Sequence, residues 1–261
     1  MAFRIYRTEA VVLRQRRLGD ADKICVLFTP NLGRIEAVAK GVRRPRSKLA
    51  GHLEPLTRVS LLLAKGRSLD TITQAQALDS FAPLREEIER LSQALYVAEL
   101  VDRMTDAAPD VGGLYRLLVD TIERLGATEA LDLAVRWFEM RLLMEQGYQP
   151  NLERCVRCDA ELAPEGNGFA ALAGGVVCPG CCEAPGSRPL SGAAFKLLRY
   201  MQRRPFAEVA RVRVDAVLGR ELETHLRQAV QTALDQEVKA REFVDAVRAT
   251  SPVAAQRSGG R

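Results

Sequence analysis

Cys155-Val-Arg-Cys158 and Cys178-Pro-Gly-Cys181 are separated by the 19 residues 159–177, and this doubled C-x2-C pattern constrains the fold more than any other feature. Two intervening residues let one tight turn aim both thiolates at a single ion. A gap of about 15 to 20 residues between two such pairs is the spacing of four-cysteine zinc sites. Gly166, Gly168, Gly174 and Gly175 punctuate short β-like pieces in the gap, as in a zinc ribbon. A complete four-thiolate shell leaves no position for water, so the expected cofactor is one structural Zn2+ and not a Lewis acid. Apparent binding free energies of about 10 to 16 kcal/mol suffice to fold a weakly hydrophobic insertion. Surface thiols or a redox pair are the competing reading. Cys182 adjoins the second pair as a rival ligand, but the spacing favours Cys181; Cys25, inside a strand pattern, reads as a buried small hydrophobe.

The rest of the chain narrows the chemistry. With only two histidines, His52 and His225, a His-rich metal enzyme is excluded. No apolar run reaches the roughly 18 residues of a membrane helix, the densest being Leu61-Leu62-Leu63-Ala64. The N-terminus has no apolar secretory core, so no membrane partner is expected and the expected location is cytoplasmic. In a reducing compartment six cysteines are ligands or buried thiols, not a disulfide framework.

Two hydrophobic periods divide the chain. Residues 4–16, 23–29, 34–40, 58–65 and 69–78 read as five strands, with turns at Gly19-Asp20, Pro30-Asn31-Leu32-Gly33 and Gly66. Lys23 to Thr29 is apolar on both faces, as in a buried strand, and Phe28 reads as internal. Five short strands in 80 residues suggest an OB-type barrel. From Pro83 the period becomes helical: Leu84, Ile88, Leu91, Leu95, Ala98, Val101 and Met104 form one stripe. A second helix is expected over about 111–125. A third follows Thr128 as N-cap, ends at Gly147, and has Leu131, Val135, Phe138 and Leu142 inward. Helices return over 191–203 and 215–249, the last with Leu218, Leu222, Leu226, Val230, Leu234 and Val238 in a stripe.

The predicted fold is therefore α+β and multidomain: an OB-fold domain over 1–80, a helical domain over 81–154 and 186–250, an inserted zinc ribbon over 155–185, and a disordered tail over 251–261.

The formal net charge of +5 hides an asymmetry. Residues 1–80 carry 15 Lys plus Arg against 7 acids, residues 81–154 carry 8 against 14, and residues 155–261 carry 15 against 12. The barrel block thus stands at +8 beside helices at −6, which points the barrel at polyanions. Lys40-Gly-Val-Arg43-Arg44-Pro-Arg46-Ser-Lys48 sets five cations on a loop that Gly41 and Pro45 keep from being helical, and Arg14, Arg16, Arg17 and Lys23 flank a neighbouring turn. Such clusters bind phosphates by charge and counterion release. Aromatics are few here (Phe3, Tyr6, Phe28, Phe81), so contacts to phosphate should outweigh base stacking and binding should ignore sequence.

Enzyme signatures are weak or missing. No G-x-x-x-x-G-K-[ST] loop and no clustered acidic nuclease motif occurs, and no catalytic residue is assigned. His52-Leu53-Glu54 with Cys178-Pro-Gly-Cys181 is superficially like a zinc deaminase, but Val177 replaces the usual Pro, and Cys155 and Cys158 would be left unexplained. His52 then reads as a surface loop residue.

Longer segments carry a resemblance. Gly19-Asp20-Ala-Asp22-Lys23, Phe28-Thr29-Pro-Asn-Leu-Gly33-Arg34, the run from Ala39 to Lys48, Gly51-His-Leu-Glu-Pro55-Leu56, Lys65-Gly66-Arg67-Ser-Leu69 and Gly147-Tyr148-x-Pro150 before Cys155-x2-Cys158 resemble, in order and spacing, the bacterial RecO family of DNA repair and recombination mediators. The resemblance implies an OB-fold, a helical domain and a zinc-binding insertion. It implies binding to single- and double-stranded DNA and annealing of complementary strands. Further implications are contact with the C-terminal tail of single-stranded DNA-binding protein (SSB), and joining RecR to help load RecA onto SSB-coated DNA. It supports Arg43, Arg44, Arg46 and Lys48 as DNA contacts and the four cysteines as zinc ligands, while no motif marks the SSB-tail pocket. The alternative is a zinc-ribbon RNA-binding or transcription-associated module.

Overall fold

The computed structural model describes residues 5–105, 111–183 and 185–250, with side chains as far as residue 235 in the last helix. The expected tail at 251–261, Phe3 and the Val238 side chain lie outside the described residues. The chain forms two compact units, one of Met1–Glu145 with Tyr200–Asp215, the other of Gln146–Arg199 with Ala216–Arg261.

The first unit begins with β1 (Ile5–Leu18), β2 (Asp22–Thr29), β3 (Gly33–Ala39), β4 (Arg58–Ala64) and β5 (Asp70–Asp79). They close into a barrel in the order β1-β2-β3-β5-β4. Antiparallel ladders join β1 to β2 and to β4, β2 to β3, and β4 to β5, while a short parallel pairing at Ala37 opposite Asp70 completes the ring. Alternation decides which side chains point inside: Ala10, Val12, Cys25, Leu27, Ala37, Leu61 and Leu63 are among those filling the interior. Burying each large aliphatic there is worth about 1.5 to 3 kcal/mol.

The doubly apolar β2 has a definite cause. Cys25 and Leu27 face the barrel interior. Phe28, fully buried, faces the other way, its ring centroid 6.3 Å from that of Tyr115 on α3 (Gly112–Ala127). A helix covers the outer face, so the strand is buried on both sides. Only Gly33 in the β2–β3 turn takes positive φ, at 64°.

The helical part departs from the expected pattern in two places. The stripe from Leu84 is not one helix: α1 (Ala82–Glu86) ends at an extended Glu87 before α2 (Ile88–Met104) begins. Leu84 is buried, whereas Ile88 is 81% exposed and Leu95 42% exposed. The face that packs is Ala94, Val97, Ala98, Val101 and Met104, with Arg90 buried at its start. Arg90 Nη1 donates to the carbonyls of Leu125 (2.9 Å) and Thr128 (2.7 Å), which closes the end of α3 and sets the rotation of α2.

The second departure is α4 (Leu131–Glu145), which starts two residues later than expected, with the Thr128 hydroxyl accepting from the Ala130 N–H at 3.1 Å. Every residue from Leu133 to Met140 is buried, so this is a central helix and not an amphipathic one. Its two interior charges neutralise each other, Arg136 Nη1 lying 3.0 Å from Glu139. Gly147 takes φ 80° just beyond, as a helix-ending glycine should. The short α6 (Phe206–Val209), which no periodicity marked, returns to this unit. Trp137 meets Phe206 edge-on at 6.0 Å, and the Arg124 guanidinium lies over both rings.

The second unit holds β6 (Gly168–Ala170), β7 (Gly175–Val177) and β8 (Arg188–Pro189), paired in the order β7-β6-β8. It also holds most of α5 (Gly192–Arg203) and α7 (Ala216–Thr250). Leu222, Leu226, Val230 and Leu234 form the buried stripe of α7, and His225 joins it, its ring 5.1 Å from Phe169.

Candidate DNA interface and metal centre

The basic residues gather at the barrel end where the β1–β2 turn meets the segment after β3. Gln15, Arg16, Arg17, Lys23 and Arg43 line an open concavity of about 490 Å³. The loop over 40–49 is fastened to the β1–β2 turn by its backbone. The Arg43 N–H donates to the Ala21 carbonyl at 2.9 Å, and the Gly41 N–H donates to Asp22 Oδ1 at 2.7 Å. Arg43 adds its side chain, Nη1 donating to the Asp20 carbonyl at 2.9 Å. Within the loop, Arg44 N–H donates to the Gly41 carbonyl and Ser47 N–H to the Arg44 carbonyl, both at 3.0 Å. Gly41 needs φ 65° for this path, a value costly for any side chain, and Val42 drops into the barrel core as the loop's apolar anchor.

The nine cations proposed from sequence divide by what they already hold. Arg14 pairs with Asp102 of α2, and Arg16 Nη2 pairs with Glu36 at 2.9 Å. Lys23 donates to Gln15 Oε1 at 2.5 Å, and Gln15 in turn donates to the Leu53 carbonyl. Arg43 is spent on the turn carbonyls. Among the described residues, the side chains of Arg17, Lys40, Arg44, Arg46 and Lys48 make no ion pair, and all five are exposed. These are the cations whose charge is free for an external anion. The aromatics of the barrel are turned away from such a role. Phe28 and Phe81 are buried, and the Tyr6 hydroxyl donates to Asp70 at 2.5 Å. Burial, then that bond to a carboxylate, raises the Tyr6 pKa.

Two acids beside the site were not among the residues picked out from sequence. Asp22 sits inside the quoted Gly19-Asp20-Ala-Asp22-Lys23 motif, where an acid amid cations was the available signal. Asp102 had none, since its partners are 88 and 68 residues away.

His52 is not a free loop residue: its Nδ1 accepts from the Ala77 N–H at 3.3 Å, tying the 3-10 turn Ala50–His52 to β5. Cys25 lies in the barrel interior, where burial pushes its thiol up to about 11.

In the second unit Cys155, Cys158, Cys178 and Cys181 bring their sulfurs within 4.8 Å of one another. A tetrahedral shell with zinc–sulfur bonds of about 2.3 Å spaces its sulfurs roughly 3.8 Å apart; Cys158 and Cys178 stand 3.6 Å apart. The four cysteines are thus positioned to bind one metal ion, and an all-thiolate set of this size suits zinc. Each pair is held by a tight turn. Asp159 N–H donates to the Cys155 carbonyl at 2.9 Å with Asp159 at φ 59°, and Cys181 N–H donates to the Cys178 carbonyl at 2.9 Å. Backbone amides also point at sulfur: Cys178 N–H donates to Cys155 Sγ at 3.3 Å. Burial opposes ionisation of Cys155, but this amide and those of Cys158 and Arg157 outweigh it and bring the thiol down to about 6. Ionisation is what a metal ligand requires. Cys182 is outside the cluster, its Sγ directed at the carbonyls of Gly166 (3.2 Å) and Cys178 (3.3 Å).

A closed five-stranded barrel with an exposed cationic loop, a helical body and a four-cysteine cluster define a multidomain α+β protein with a surface suited to polyanions. Models of the N-terminal and C-terminal parts of recombination protein O match residues 1–81 and 85–242. The chain is 39% identical to the DNA repair protein RecO of Roseiflexus sp. (strain RS-1) over 249 residues, covering 95% of this chain and 88% of that one. It is 34% identical to DNA repair protein RecO of Dehalococcoides mccartyi (strain CBDB1) over 243 residues, 93% and 96% of the two chains. With that of Rubrobacter xylanophilus the identity is 36%, over 87% and 90%. The chain belongs to the RecO family of DNA repair and recombination proteins. No described helix is long and apolar enough to cross a membrane.

Proposed function

We propose that this protein is a non-enzymatic recombination mediator. It holds single- and double-stranded DNA by phosphates, without regard to sequence, anneals complementary strands and, with RecR, helps load RecA onto SSB-coated single strands. The observation that carries this reading is the set of exposed cations on a barrel-anchored loop, Arg44, Arg46, Lys48 and Lys40 with Arg17 nearby, beside a barrel whose aromatics are committed inward. Such a surface screens phosphate repulsion between two strands while leaving base edges free to pair. Annealing on these terms needs no nucleotide hydrolysis. The SSB tail, RecR and, indirectly, RecA are the protein partners, and the cytoplasm with its nucleoid is the compartment.

The metal proposed for the ribbon is one structural zinc, held by Cys155, Cys158, Cys178 and Cys181. Bound there it supplies a cross-link to a small sheet, not a reactive centre. The nine cations named from sequence are the proposed DNA contacts, with Arg17, Lys40, Arg44, Arg46 and Lys48 meeting phosphate directly.

The test is annealing of complementary oligonucleotides coated with SSB, with and without RecR. Acceleration by the protein is expected, and its absence overturns the reading. Preferential binding of RNA over DNA would instead favour an RNA-binding module.

A further inference from the structure

Asp22 poses a problem of sign. It is an acid at the rim of a polyanion-binding surface, next in sequence to Lys23 and beneath the cationic loop. On charge alone its removal should strengthen DNA binding. Yet its Oδ1 accepts the Gly41 N–H at 2.7 Å, at the residue where the loop leaves β3 and where backbone in the left-handed region aims that N–H back at the β1–β2 turn.

We propose that Asp22 is a positioning residue for DNA binding: its carboxylate pins the loop over 40–49 so that Arg44, Arg46 and Lys48 are held in one place before DNA arrives. The idea deepens the phosphate-binding role given above and rests on it. The other fasteners alone do not fix this point. Arg43 N–H to Ala21 and Arg43 Nη1 to Asp20 hold the loop two residues later, and Arg44 Cδ packs within 3.5 Å of where a Gly41 side chain would begin. Without Asp22 the Gly41 N–H has no protein acceptor, and the two residues that lead into the loop can swing. Cations spread over many positions must be ordered on binding, and that entropy opposes association.

Asp22→Ala and Asp22→Asn separate the two effects, because Asn keeps an oxygen in the acceptor position and loses only the charge. The measurements are the Kd for a single-stranded oligonucleotide across a salt series, and the rate at which trypsin cuts after Arg46 and Lys48 in the folded protein. Asp22→Ala is expected to bind roughly fivefold more weakly, in spite of its added net positive charge, and to be cut faster. Asp22→Asn is expected to bind at least as tightly as wild type and to be cut no faster. Should Asp22→Ala fail to fold, Asp22→Ser, whose hydroxyl falls short of Gly41, carries the same expectation. Binding by Asp22→Ala as tight as wild type overturns the positioning role, as does Asn behaving like Ala. A wild-type protein that does not bind DNA overturns the phosphate-binding reading itself. Unchanged trypsin cutting in Asp22→Ala overturns the pinning whether or not DNA binds.

Discussion

Arg34 on β3 donates to Asp102 on α2 at 2.6 Å, and the other oxygen of that carboxylate takes Arg14 of β1, so one acid ties two barrel strands to a helix. Burial works against the Asp102 charge, but hydrogen bonds from Arg14 and Arg34 outweigh it and hold its carboxyl below the usual range. A carboxylate depressed in the folded state stabilises above its unfolded pKa, near 4, and that contribution is lost as pH falls through the folded value. Asp102→Asn should therefore cost about 1 to 3 kcal/mol at neutral pH, and its deficit relative to wild type should shrink in acid. Urea denaturation at pH 7 and at pH 3 measures both. A deficit that is equal at the two pH values would contradict the bridge.

The same pairing predicts a division among the cations. Arg44→Ala with Arg46→Ala should weaken single-stranded DNA binding and reduce the steepness of its log–log salt dependence by roughly 1.4, at about 0.7 per phosphate contact. Arg14→Ala, which also breaks the ion pair with Asp102, should lower thermal stability and reduce the salt slope by less than either loop arginine does. Fluorescence anisotropy over a salt series, beside thermal melts, resolves the two patterns.

The cysteine cluster predicts one zinc per chain. Cys158→Ser and Cys181→Ser should lose it, whereas Cys182→Ser should keep it, because the Cys182 thiol is turned toward carbonyls and away from the other four. Metal analysis of the purified variants decides this. Chelation of the wild type should release a single equivalent and expose the ribbon to proteolysis.

Tyr115 donates its hydroxyl to Glu9 Oε1 at 2.7 Å, and Glu9 also takes Arg58 Nε at 2.6 Å. Tyr115→Phe keeps the ring beside Phe28 and removes only this bond. It should destabilise by about 1 to 2 kcal/mol, measured by denaturant midpoint with an unchanged m-value, and leave DNA affinity intact.

The barrel was legible from sequence because strand alternation and turn residues are local signals. β2 shows their limit: the five apolar residues Ile24 to Phe28, on both faces, announce burial, but nothing local says that Cys25 meets the barrel and Phe28 meets a helix. The stripe through Leu84, Ile88 and Leu95 failed because a single extended residue, Glu87, rotates everything after it. In α4 the charges of Arg136 and Glu139, 3.0 Å apart, are buried together, and a pair three residues apart in the interior has the same spelling as one in water. The cysteine spacing was readable because both knuckles are tight turns. The sorting of the cations was not, since it depends on Asp102 and Glu36, partners set by tertiary contact alone.

The barrel closes between β3 and β5 through two residue pairs, Ala37 opposite Asp70 and Val38 opposite Thr71. A protein gathered by charge along a DNA strand meets its own copies at concentrations far above those of bulk solution. Open edges would then zip neighbours together through backbone hydrogen bonds. How much of β3 and β5 stays open to such a neighbour is set by the two pairs at Ala37 and Val38, which make that seam the shortest ladder of the barrel.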